Sequence, residues 1–308
     1  MPGKRARADL ALVFSTLIWG ATFIVVKDAL ADISVLVYLA VRFGLAAAVM
    51  GIVFWRSLRH LSLRATWAGM QIGFFMFGGY IFQTAGLKFT TASKAAFITG
   101  ASVVLVPLLL ALFGRGRIHR WVWMGALAAL AGLYFLTVPP QGFGALNRGD
   151  PIVFGCAVMF ALHIIFVGRH TPHYSVGALT FVQVATTAAL AALLLPVSTA
   201  AGWEKPRLLW TGQVIFAVLI TSIGSTVLGF SFQVWAQKHT SASHTAILLS
   251  LEPVFAAITS WIVANERLGG RGLAGAGLIF MGILLAELKG PAPAAPESAE
   301  PVAYTLER

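Results

Sequence analysis

Two ionisable side chains, Arg42 and Glu252, lie deep inside long apolar runs of this chain, and any chemistry it performs has to involve them or their surroundings. Carrying a charge into hydrocarbon costs at least about 2.5 kcal/mol on insertion scales, so such residues mark either a ligand path or an internally paired site. Arg42 precedes Arg56 by fourteen positions, roughly 21 Å of helix, which is too deep for its guanidinium to snorkel fully to that end. Glu252 sits near the middle of its run and is followed by Pro253. That proline cannot donate to the carbonyl of Leu249, so a kink and a polar notch are expected beside the carboxylate. Pro107 is a second expected kink. A carboxylate in such a notch can bind a substrate amine or a proton, or it can hold helices together in a static pair. Arg42 offers the same choice between anchoring its helix and binding a ligand.

Other residues widen the candidate set. His163 titrates near neutrality and could relay protons, or could pack as a hydrogen-bonding core residue. Gln83 and Gln233 could line a cavity or bridge helices. Lys94 and His244 begin two apolar runs, where they could gate a pathway or reach headgroups. Trp19 and Tyr80 offer aromatic surface to an apolar or aromatic substrate, Trp19 the more so because it lies mid-run, away from the interfaces where membrane tryptophans collect. The single cysteine, Cys156, provides neither a disulfide nor a thiolate metal site. HExxH, GxSxG, a paired-aspartate cluster and a phosphate-cradling P-loop are all missing. An enzyme is therefore not expected, nor a metal or cofactor.

The elements that must position these residues are membrane helices. The chain has 308 residues, 58% of them hydrophobic and 11% charged, with a mean hydropathy of +0.83; soluble domains carry roughly 25% charged residues. Apolar runs long enough to cross a bilayer fall at 10–27, 33–55, 66–87, 95–114, 121–138, 151–168, 175–196, 210–235, 243–264 and 271–288. The expected fold is thus an all-α integral membrane protein with ten transmembrane helices. The first run follows Lys4, Arg5 and Arg7 and precedes Ala29-Leu30-Ala31, which resembles a signal-peptidase site. Its length, and a counterpart in mid-chain, make it the first spanning helix instead. The net charge of +11 does not imply nucleic acid, because Lys and Arg gather in the short connectors: twelve on the side of the N-terminus against eight on the other. That bias puts both termini in the cytoplasm of a multi-pass protein. Residues 1–8 form a cytoplasmic segment, and the Pro-, Ala- and Glu-rich tail 290–308 is expected to be disordered.

The chain also repeats itself. An offset of 141 pairs Asp9 with Asp150, Trp19 with Phe160 and Arg42 with Gln183; farther on, an offset of 150 pairs Phe82-Gln83 with Phe232-Gln233, Gly125 with Gly275 and Gly132 with Gly282. The halves are 9–140 and 150–289, of five helices each. An odd number of spans makes the second half enter from the opposite side, giving two inverted five-helix repeats. Inverted repeats have two near-equivalent packings, open to one side or the other, which suits alternating access.

Ile18-Trp19-Gly20-Ala21-Thr22-Phe23 with Lys27, Thr90-Thr91-Ala92-Ser93-Lys94-Ala95-Ala96-Phe97 running to Val106-Pro107, and Leu251-Glu252-Pro253-Val254-Phe255 with Glu266-Arg267-Leu268 resemble the EamA family of the drug/metabolite transporter superfamily. The resemblance covers both halves. It implies a ten-helix carrier of the inner membrane with a central cavity between the repeats, in a family that includes exporters of amino acids and other metabolites. It departs at Phe160 and His163, where a Trp-Gly start would match the first half. The expectation is a secondary transporter of small metabolites, amino acids or aromatic compounds, acting by alternating access in the direction of export. A channel-like or facilitative permease and a scaffold without transport activity are the alternatives. The expected partners are a small-molecule substrate and the lipid bilayer, with protons as a candidate coupling ion and no nucleic acid.

Overall fold

The computed structural model describes residues 2–87, 89–90, 92–113, 118–142, 144, 147–264 and 269–289. The tail from 290 and the Glu266-Arg267-Leu268 motif lie outside these residues. Helix accounts for nearly all of the rest: α1 (Pro2–Ala29), α2 (Val35–Val53), a short α3 (Trp55–Leu58), α4 (Leu63–Leu87), α5 (Ala92–Gly100), α6 (Ser102–Leu112), α7 (Arg120–Thr137), α8 (Gly149–His170), α9 (Val176–Ala200), α10 (Gly212–Ile220), a π-helix (Thr221–Gly229), α11 (Phe230–Gln237), α12 (Ala242–Leu249), α13 (Glu252–Ala264) and α14 (Gly270–Lys289). Among the described residues seven helical segments, against the ten expected, are long and apolar enough to cross a membrane: Val35–Val53, Ala95–Leu112, Arg120–Thr137, Gly149–His170, Val176–Ala200, Gly212–Gln237 and Ala242–Thr259. Large apolar side chains such as Ile52, Leu112, Phe216 and Ile262 point outward, as they do where the surrounding medium is lipid. The first helix already begins at Pro2, so it takes in the residues expected to form a segment ahead of it.

Three interruptions matter for the site. The run 210–235, expected as one helix, is continuous through 237 but winds as a π-helix over its middle third. Side-chain hydrogen bonds accompany this winding: Thr221 Oγ1 donates to the carbonyl of Ala217 at 2.6 Å and Thr226 Oγ1, five residues on, to that of Thr221 at 2.9 Å. The other two breaks fall at Ala101, between α5 and α6, and at Ser250 and Leu251, between α12 and α13. They are repeat-equivalent, since 101 plus 150 is 251. Pro253 sits in the first turn of α13, where a missing N–H is tolerated; Pro107 lies inside α6, five residues past the break at 101–102.

The bundle is held by close backbone approaches at glycine. A Cβ on Gly125 would lie 2.6 Å from the Gly282 carbonyl oxygen, and one on Gly132 would lie 2.5 Å from that of Gly275; the reverse contacts are 2.5 and 2.7 Å. α7 and α14 therefore run antiparallel with their small residues interlocked, and van der Waals contact replaces the hydrophobic drive that lipid cannot supply. The contacts are reciprocal: exchanging 125 with 275 and 132 with 282 turns one contact into the other, as a two-fold interface requires. Gly73 brings α4 against the backbone of α9 at Gln183, and Gly20 brings α1 against Glu252 and Ala256 of α13. At one end of the bundle the connectors cross-link: Ser34 N donates to the Arg207 carbonyl at 2.9 Å and Leu209 N to that of Asp32 at 3.0 Å, while the Glu204 carboxylate caps α2 through Val35 N and Leu36 N.

Gly132→Ala forces a methyl into a backbone carbonyl and should destabilise the protein by about 1–3 kcal/mol, as overpacking does. Gly277→Ala, on α14 with open space around it, should not lower stability, because alanine is the better helix former by up to about 1 kcal/mol. Thermal unfolding of both variants in detergent checks this pair.

Candidate functional site

The site is built where α1 and α2 meet the π-helix, with Tyr80 of α4 set against α2. Arg42, on α2, is buried to 5% exposure. Its Nε donates to Thr226 Oγ1 at 3.0 Å and an Nη contacts the Tyr80 hydroxyl at 3.5 Å. The guanidinium carbon lies 5.1 Å from the ring centre of Phe43 and 5.2 Å from that of Tyr80, so two aromatic faces substitute for part of its hydration. The backbone carbonyl of the same residue accepts from Ser222 Oγ at 3.0 Å. One turn away, the Tyr38 hydroxyl shares a 2.8 Å hydrogen bond with Thr221 Oγ1. The π-helix thus turns four hydroxyls, Thr221, Ser222, Ser225 and Thr226, toward the first half of the chain, and each finds a partner there. Ser225 serves α1: its carbonyl accepts from Trp19 Nε1 at 2.8 Å and its hydroxyl pairs with Thr22 Oγ1 at 2.8 Å.

An aromatic frame surrounds this polar patch. Trp19 packs on Phe230 with centroids 5.1 Å apart, and Phe160 on Tyr80 at 5.5 Å. These two pairs are repeat-equivalent, 19 with 160 and 80 with 230. Each is made room for by an equivalent glycine: a Cβ at Gly229 would meet Trp19 Nε1 at 2.6 Å, and one at Gly79 the Phe160 ring at 2.5 Å. His163 touches the frame through Phe230 at 5.9 Å and bonds Gln183 Oε1 through Nε2 at 3.0 Å. A carbonyl oxygen can only accept, so with this assignment His163 carries its proton on Nε2. Gln183, the counterpart of Arg42, leaves its own Nε2 without a protein partner.

Glu252 is the first residue of α13 and is half-buried. Its carboxylate makes no hydrogen bond or ion pair with any described residue. It lies in the neighbourhood of Tyr80 and Cys156, and Arg42 makes its hydrogen bonds to Thr226 and Tyr80 instead of pairing with it. Tyr80 therefore has the Arg42 guanidinium against it and the Glu252 carboxyl in its neighbourhood, and among the described residues the two form no ion pair.

Five of the expected residues, Trp19, Arg42, Tyr80, His163 and Glu252, come together in this region. Others do not. Gln233 is buried on α11 and donates to Gln237 Oε1 at 3.2 Å, and Gln237 in turn donates to the Ile164 carbonyl at 2.8 Å; that chain ties α11 to α8. Gln83 is half-buried on α4, apart from this network. His244 forms a 3.0 Å pair with Asp9 that joins the start of α12 to α1. Lys94 lies in the first turn of α5, and its side chain is outside the described residues.

The same chain matches the profile of the EamA-like transporter family at residues 6–138 and again at 147–288. The chain belongs to the EamA-like transporter family. Among EamA-type relatives, an uncharacterized transporter of Archaeoglobus fulgidus is 34% identical over 93% of this chain and 87% of its own length. The uncharacterized transporter YoaV of Bacillus subtilis is 24% identical over 90% and 95% respectively. The threonine/homoserine exporter RhtA of Escherichia coli is 29% identical over 53% of this chain and 52% of its own length. A solved crystal structure superposes with a TM-score of 0.78 over 92% of this chain and 98% of its own at 20% identity, which places the fold. This protein is accordingly a multi-pass membrane transporter, and its relatives' names point to a transporter instead of an enzyme.

Within that EamA architecture the residues missed by sequence reasoning are the partners: Tyr38, Thr221, Ser225, Thr226, Phe160 and Phe230. A signal for the hydroxyls did exist. Thr221-Ser222 and Ser225-Thr226 fall four apart in an otherwise apolar run, so all four share one helical face. Thr226→Val removes the acceptor of Arg42 Nε and should cost about 1–3 kcal/mol, the desolvation of an unpaired buried donor. In a double-mutant cycle with Arg42→Leu, measured by thermal unfolding, the two losses should be strongly non-additive.

Proposed function

We propose that this chain is a secondary transporter that exports small zwitterionic metabolites, amino acids foremost, across the plasma membrane by alternating access. Ten spans form two five-helix repeats of opposite orientation, 9–140 and 150–289, with both termini in the cytoplasm. The reciprocal Gly125/Gly282 and Gly132/Gly275 contacts between antiparallel equivalents support the inverted relation. So do the matching aromatic pairs and the breaks at equivalent positions in α5–α6 and α12–α13. Backbone can be left irregular at membrane depth only where protein or a cavity surrounds it, and broken helices are where carriers build their sites.

The observation that carries the substrate class is that Arg42 and Glu252 both lie near Tyr80 and form no ion pair with each other among the described residues. A guanidinium has five N–H donors, and donors beyond those engaged by Thr226 and Tyr80 suit a substrate carboxylate. The unpaired Glu252 carboxylate suits an ammonium group or a proton. Trp19, Phe160, Phe230 and Tyr80 supply apolar and aromatic surface to the remainder of the substrate. The threonine/homoserine exporter among the relatives is in keeping with such a ligand. Substrate occupying both charges offsets the cost of holding each in a low-dielectric site, which biases the bundle toward rearrangement only when loaded.

Proteoliposomes loaded with unlabelled amino acid and given the labelled form outside test this reading by counterflow, with and without an imposed pH gradient. Saturable counterflow is expected, and linear, unsaturable flux would indicate a channel. Glu252→Gln should lower the rate by about tenfold or more, the scale of one lost charge contact. Flux and pH dependence both unchanged in that variant would remove Glu252 from the mechanism.

A further inference from the structure

Away from the site, a cavity of about 590 Å³ opens between α3, the turn that follows it and the turn leading into α9. Arg56, His60 and His173 line it, with the hydroxyls of Ser57, Ser62 and Ser175. Ser62 caps α4 by accepting from Ala65 N, and Ser175 caps α9 by accepting from Ala178 N, each at 3.2 Å. The polar lining is thus cationic and donor-rich, with two helix N-termini adding partial positive charge at its floor. Tyr174 also borders a second cavity, of about 470 Å³, whose walls are Leu63, Trp67 and Ala68 with Arg64 and His170 at the edge.

Charge balance decides what belongs there. No Asp or Glu occurs between residues 33 and 149 or between 151 and 203, the two segments that build both cavities. Arg56, Arg59, Arg64 and Arg169 consequently have no acidic partner among the described residues; Arg59 instead stacks on Trp55 at 4.0 Å. The opposite end of the bundle balances itself, with Arg207 paired to Asp32 at 3.4 Å and Glu204 capping α2. A cationic cavity that no described residue compensates calls for an anion. The neighbouring apolar cavity calls for hydrocarbon attached to it. Trp67 is 61% exposed and Leu63 85% exposed beside it, side chains typical of the level where headgroup meets acyl chain.

We propose that these two cavities, adjacent at Tyr174, bind one anionic phospholipid, the phosphate-bearing headgroup among Arg56, His60 and His173 and an acyl chain along Leu63 and Trp67. A headgroup volume fits the usual range of small-molecule sites, and basic pockets between membrane helices take such lipids. The bound lipid fixes the turn between α8 and α9 against α3. The site does not depend on which substrate the transporter carries.

Native mass spectrometry of the full-length protein in detergent tests this with dioleoyl phosphatidylglycerol, dioleoyl phosphatidylcholine and glycerol 3-phosphate as probes. The phosphatidylglycerol adduct should survive preferentially over the phosphatidylcholine adduct. Arg56→Gln should weaken its retention by about fivefold, the effect of one basic residue at an anionic headgroup, and Arg207→Gln at the far end should leave it unchanged. Arg64→Gln serves if the first variant fails to stay monodisperse. Trp67→Ala should weaken retention of both lipids. Equal retention of the two lipids, or retention indifferent to both arginine variants, overturns the proposal. Displacement of the lipid by an equal concentration of glycerol 3-phosphate also overturns it, because the site would then recognise a free phosphate ester alone.

Discussion

Hydrocarbon offers no hydrogen bonds, so a guanidinium placed at the depth of Arg42 has to find every partner inside the protein. That constraint organises the centre of this transporter. The partners of Arg42 come from α4 and from the π-helix nearly two hundred residues away, and they tie the first half of the chain to the second. Tyr38, Trp19 and Thr22 reach across the same boundary to the same nine residues. A regular α-helix over 221–229 would use its own carbonyls for its ladder. The wider π winding frees the Ser225 carbonyl for Trp19 and rotates four hydroxyls toward α1 and α2. Irregularity in that segment is therefore what satisfies the buried charge, in keeping with the association of π-turns with functional positions.

Around this seam the packing relies on removed side chains more than on added ones. Gly229 and Gly79 each leave a place for one aromatic ring, and the glycines of α7 and α14 let two backbones touch. In lipid, contact of this kind has to supply what water-driven burial supplies in a soluble core. The equivalent ring pairs differ in chemistry, however. Trp19 donates a hydrogen bond to Ser225, whereas Phe160, its counterpart, has no donor. Arg42 likewise faces Gln183 across the repeat. The two halves thus share a scaffold but not a charge pattern, and an asymmetric, charged ligand is what such a pattern would distinguish.

Much of this was legible from residue order. Each apolar run contains helix, the break beside Pro253 falls where Glu252 flagged a polar notch, and Arg42 and Glu252 do lie in one region with Trp19, Tyr80 and His163. These features are local or periodic, and periodicity survives without knowledge of partners. The π-helix was not legible, because its hydroxyl pairs barely alter the hydropathy of the run and winding depends on which carbonyls they choose. The partners of Arg42 were hidden for a related reason: Thr226 and Tyr80 are set by tertiary packing, not by spacing from residue 42. The break at Ala101 has no proline of its own; Pro107 was the visible signal, and it lies inside a continuous α6. Gln83 and Gln233, equal in sequence position, differ in surroundings, since Gln233 has Gln237 one turn away where Gln83 has Leu87.

The central claim is that two oppositely inserted halves share the polar seam around Arg42. Ala31 and Pro172 are repeat-equivalent, both exposed, and both in connectors between the first and second helices of their halves. In a Cys156→Ser background, Ala31→Cys and Pro172→Cys can each be reacted with a membrane-impermeant maleimide in intact cells and again after permeabilisation. Labelling of position 31 in intact cells, with labelling of position 172 only after permeabilisation, is the predicted result. Labelling of both positions from the same side would contradict the account.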